Sequence, residues 1–174
     1  RFVQRLAGLV CLYFLVRHFT ADDFGHYQFV GVAVAAVAFM ALPGMDNALM
    51  LSVAQGSRSF YRFAVISSVQ FSLLGAVLLG VFALFLGRSQ PELVGPLITA
   101  AAFFPTYLGI AQWKSVLLAE RRFLMLAISE GLSALTTSGF LIWATLLDVQ
   151  DVWVFCLLYF SPAATMNVGM TLYL

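Results

Sequence analysis

Long apolar runs recur along this chain, at 27–53, 63–87, 93–118, 123–147 and 152–174, with a shorter one at 6–16. A hydrocarbon layer about 30 Å thick is crossed by about 20 apolar residues in helical form, so the five longer runs can each span it. The short run reads as the outer part of a further span over 1–18. Composition agrees, because only 10% of the residues are charged, against about a quarter in soluble domains. The expected fold is all-α and integral to a membrane, with about six transmembrane helices at roughly 1–18, 27–53, 63–87, 93–118, 123–147 and 152–174.

The chain opens on Arg1 without a methionine, and its last run ends at Leu174 without a polar flank, so it reads as a fragment. A signal peptide would place a small-residue cleavage site after the first run, and RHFTADDFG stands there instead. Cys11 and Cys156 fall inside expected helices, with no Cys/His cluster to suggest zinc or a disulfide framework, so no metal site is expected. His18 and His26 flank one short loop and read as solvated loop residues.

Seven of the nine basic residues fall at one end of the expected bundle: Arg1, Arg5, Arg58, Arg62, Lys114, Arg121 and Arg122. The opposite end carries Asp22, Asp23, Glu92, Asp148 and Asp151. The positive-inside rule therefore expects a cytoplasmic N-terminus. Trp143 and Trp153 bracket the acidic LLDVQDV turn and Trp113 adjoins Lys114, as interfacial aromatic belts would have it. Loops as short as AERR leave no room for a soluble catalytic domain or a nucleic-acid patch. Thr20 and Asp23 fit a helix cap.

Charged groups inside a span cost roughly 2.5 to 3.5 kcal/mol at the centre, so each one asks for a reason. Asp46 and Asn47 follow Pro43-Gly44, where a lost hydrogen bond should bend the second helix. Asp46 reads either as a cap or interfacial charge paired to a nearby arginine, or as a cavity group. Glu130, Ser133 and Thr137 share one helix face at i, i+3 and i+7, a stripe that should face protein as interhelical glue or as a substrate-binding surface. Arg5 and Arg1, also on one face, either snorkel to the headgroups or face a cavity. Pro105 and Pro162 are two further kink candidates, with Gly109, Gln112, Thr165 and Asn167 available to satisfy freed backbone groups. The small-residue rows Gly31, Ala35, Ala38 and Ser68, Ser72, Ala76 would permit close helix approach.

Three stretches together resemble the oligosaccharide flippases of bacterial polysaccharide biosynthesis, the Wzx or O-antigen type, within the multidrug/oligosaccharidyl-lipid/polysaccharide exporter superfamily. They are RHFTADDFGHY, with Arg17, Phe24, Gly25 and Tyr27; LPGMDNALMLSVAQG; and the basic turn LLAERRF. The resemblance covers essentially the whole chain. It implies one six-helix N-terminal lobe, residues 1–174, of a transporter with twelve to fourteen helices in two lobes, the second lobe lying outside this sequence.

The implied activity is translocation of a polyprenyl-pyrophosphate-linked oligosaccharide from the cytoplasmic to the outer leaflet of the bacterial inner membrane. No cofactor is implied; the implied partners are that lipid-linked substrate, membrane lipids and polysaccharide polymerase machinery. On this reading Arg5 is the first candidate for the phosphate contact, with Arg1 and Arg62 behind it, while Asp46 and Asn47 line the cavity or hold a gate arginine. An ion-coupled drug antiporter of the same fold, using Asp46 or Glu130, remains open, as does a structural membrane subunit. An enzyme would need clustered nucleophiles, histidines or metal ligands near one interface, and the sequence offers none.

Overall fold

The computed structural model describes residues 2–174, with side chains from Arg5 onward. Among them the chain is helical and has no strand. Helix α1 (Phe2–His18) is followed by α2 (Ala21–Val37) and α3 (Gly44–Ala54), the two halves of one broken span. Then come α4 (Ser59–Leu86), α5 (Val94–Phe104), α6 (Trp113–Ala119), α7 (Phe123–Leu146) and α8 (Val152–Tyr173). Five segments are long and apolar enough to cross a membrane, among them the composite Pro91–Ala119. With α1 they make an all-α, multi-pass membrane protein of about six spans.

The second span starts at Ala21, earlier than the apolar run suggests. Thr20 is extended and its hydroxyl accepts the Asp23 N–H at 3.2 Å, which satisfies one of the donors that a helix start leaves open. The polar first turn hides this start from hydropathy. The third span likewise begins at Ser59 rather than 63.

Pro43-Gly44 breaks the second span instead of bending it. A 3-10 turn occupies Ala38–Ala41, and Leu42 takes the left-handed conformation at φ 53. The proline ring disfavours the right-handed helical region for the residue before it, and Leu42 leaves that region altogether. At Pro105 the fourth span passes into a π-helical turn, Pro105–Gly109, and α6 restarts at Trp113. Pro162 leaves α8 unbroken.

Apolar side chains from α2, α4, α5 and α8, with Val30, Leu79, Leu97 and Phe160 among them, form the largest core. Ser68 and Ser72 are fully buried on α4, where a Cβ on Gly109 would overlap the Ser72 hydroxyl, so this small-residue row does bring two spans together. The row Gly31, Ala35, Ala38 does not: Gly31 and Ala35 are exposed, and α2 packs through Val30 and Val34. A second core joins α1, α7 and α8 through Cys11, Leu15, Leu141 and Phe155.

The acidic end, where Asp148 and Glu92 lie, is tied by both histidines. His18 is largely enclosed, with Nε2 2.7 Å from the Val149 carbonyl and its ring against Phe155, and His26 lies 3.7 Å from Glu92. The expectation of a solvated loop histidine fails for His18, enclosed by Val149 and Phe155, whereas His26 stays partly exposed on α2.

Candidate functional cavity

A π turn in the middle of a span frees carbonyls that lipid cannot satisfy. Here α8 satisfies them. The Asn167 amide donates to the carbonyls of Thr106 at 3.1 Å and Tyr107 at 2.8 Å, and its oxygen accepts the Trp113 indole N–H at 2.9 Å. Thr171 donates to the Ile110 carbonyl at 3.1 Å. Asn167 thus does what the sequence suggested, whereas Thr165 donates within its own helix, to Ser161. Gln112 is buried with its side-chain amide oxygen unpartnered among the described residues, while its backbone carbonyl accepts the Ser115 N–H.

This joint sets the direction in which α6 leaves, and Lys114 in its first turn reaches the wall of a cavity of about 600 Å³. The cavity lies between α1, α2, α7, α8 and the joint. Lys114 Nζ stands 3.4 Å from Glu130 on α7 and 5.6 Å from the centre of the Trp113 ring. Ser133 and Thr137 line the same wall above Glu130, so the predicted i, i+3, i+7 stripe faces the interior. Across from them are three tyrosines: Tyr27 stands edge-on to Tyr159 at 6.2 Å, and Tyr107 lies 6.3 Å from Tyr159. The wall therefore combines one ion pair with hydroxyls and aromatic faces.

Other predicted residues lie elsewhere. Arg5 is exposed on α1, one turn before the lining residue Gly8. Arg1 lies outside the described residues. Asn47 is exposed on α3. Asp46, in the first turn of α3, faces Ser115 and Lys114 of α6, with one carboxylate oxygen enclosed and without a hydrogen bond. Among the described residues no arginine pairs with it. Arg58 is instead bonded to Glu120, which also takes Arg122 at 3.2 Å. Arg62 borders a separate hollow.

Sequence reasoning missed Lys114 and the tyrosines as cavity groups. A signal existed for Lys114: it is a cation inside the 93–118 apolar run, a few turns after Pro105. Trp113 beside it is not an interfacial belt residue but is buried, whereas Trp143 and Trp153 are exposed as the belt reading expects. No protein-family model, curated protein or solved structure matches this chain.

Proposed function

We propose that this chain is one lobe of an exporter that moves a polyprenyl-pyrophosphate-linked oligosaccharide across a bacterial inner membrane, with its basic end in the cytoplasm. The carrying observation is the cavity wall, where Lys114 and Glu130 lie in one space with Ser133, Thr137 and the tyrosines. Sugars and a pyrophosphate cannot enter hydrocarbon unaided, so such a cargo needs polar groups inside the protein while its lipid tail stays in the bilayer. Lys114 offers a charge-assisted contact to phosphate oxygens. Tyrosine faces suit the C–H faces of sugar rings, and the hydroxyls of Ser133 and Thr137 suit their polar edges. Glu130 holds Lys114 until a phosphate competes for it. No bond is made or broken in the cargo, and a polysaccharide polymerase would take the product.

Complementation tests this reading. The full-length parent gene is expressed in a bacterium lacking a flippase of matched repeat-unit specificity, and surface polymer and lipid-linked repeat are assayed. Restored polymer is expected, lost in Lys114→Ala at unchanged protein level and largely kept in Arg5→Ala. Failure of the parent gene to restore polymer would sink the assignment.

One observation favours a second reading, an ion-coupled antiporter: Asp46 on α3 and Glu130 on α7, two acids from different helices, both lie near Lys114. Export that stops when an ion gradient is collapsed, and that loses this dependence in Asp46→Asn, would select it.

A further inference from the structure

The hollow beside Arg62 is separate from the cavity and lies at the basic end. It measures about 530 Å³ and is lined by Arg58, Ser59, Tyr61 and Arg62 near the start of α4, with Val116 of α6 and Leu174 as apolar wall. Arg58 and Arg62 line it together, and Arg58 is linked through Glu120 to Arg122 of the loop before α7. Glu120 is thus already shared by two arginines. Arg62 is exposed and forms no ion pair among the described residues. Positive charge is therefore in excess here, beside a recess large enough for a phosphate ester.

We propose that this hollow binds the headgroup of an anionic phospholipid, with Arg62 as its principal phosphate ligand and Arg58 and Ser59 beside it. Basic recesses between transmembrane helices are a recurrent solution for anionic headgroups. The surroundings favour a lipid over a soluble phosphate. Arg62 lies within the first turn of a 28-residue spanning helix, at the depth where headgroups sit. Phe60 and Phe63 pair at 5.4 Å next to it, and Phe63 is exposed to the surrounding bilayer, where acyl chains would lie. Each arginine near such a surface contributes about 1 kcal/mol, or about fivefold in occupancy.

Native mass spectrometry of the purified full chain in detergent, with added phosphatidylglycerol or chain-matched phosphatidylcholine, tests the site. The expected result is phosphatidylglycerol occupancy at least about fivefold above phosphatidylcholine, falling about fivefold in Arg62→Ala and largely kept in Arg62→Lys. Arg88→Ala, at the opposite end, leaves occupancy unchanged. Equal occupancy of the two lipids, or an unchanged preference in a folded Arg62→Ala, overturns the proposal. Displacement of the lipid by millimolar inorganic phosphate also overturns it, in favour of a soluble anion. If Arg62→Ala fails to fold, the wild-type preference at low and high salt decides: a preference insensitive to salt rejects the arginine site.

Discussion

Two spans of this protein are broken, and they are broken differently. At the joint between α5 and α6 the loosened backbone is held by another helix, through Asn167, Thr171 and the Trp113–Asn167 bond. At the joint between α2 and α3 the closing bonds are local backbone turns, from Leu42 N–H to Phe39, Met45 N–H to Leu42 and Asp46 N–H to Pro43. Pro43 and Gly44 are exposed there, whereas Gly109 at the other joint is pressed onto Ser72. A break stitched from outside is a fixed corner, because moving it strands polar groups in a medium that cannot solvate them. A break closed by its own turns can move without leaving anything unpaired.

The contrast can be broken by mutation. The largest effect is expected for Asn167→Ala, which strands two carbonyls and an indole N–H. Interhelical bonds in membranes average about 0.6 kcal/mol and reach about 1.7, so three lost together should cost roughly 2 to 3 kcal/mol of stability. Unfolding in mixed detergent measures it, and a cost near zero would mean the stitch is ornamental. Gly109→Ala is next, at about 1 to 2 kcal/mol from overpacking against Ser72, with partial recovery in the double variant carrying Ser72→Gly. Smallest is Pro43→Ala, below roughly 1 kcal/mol, because nothing outside the joint is attached to it. Amide exchange sharpens the same point: in the unmodified protein, backbone N–H groups over 38–46 should exchange faster than those over 105–112 at equal bilayer depth. Equal rates would remove the distinction.

The spans were legible because hydropathy adds up locally along a sequence and needs no knowledge of neighbours. So was the stripe Glu130, Ser133, Thr137, since its spacing alone fixes a shared face. Whether that face or the face of Arg5 meets the cavity depends on how each helix is rotated in the bundle, which spacing does not encode. For Arg5 spacing accordingly left both readings open, snorkelling or cavity-facing, and the residue lies exposed on α1. Prolines marked both joints, but a proline alone does not say whether a helix breaks: Leu42 before Pro43 leaves the helical region, while Pro162 sits in an intact helix. Trp113 shows the opposite error. Next to a lysine it looks interfacial, yet its indole is consumed by Asn167, a partner 54 positions away.

The left-handed turn at Leu42 also bears on how the protein fits its bilayer. Residues 21–54 as one straight rod would run roughly 50 Å at about 1.5 Å per residue, against a hydrocarbon thickness of about 30 Å. Such a rod would have to tilt steeply, protrude into the headgroups or distort the surrounding lipid, each at some cost per ångström of mismatch. Interrupted over 38–43, the stretch becomes α2, a rod of roughly 26 Å, and α3, one of roughly 17 Å, and the remaining residues form the turn that lets the two take different directions.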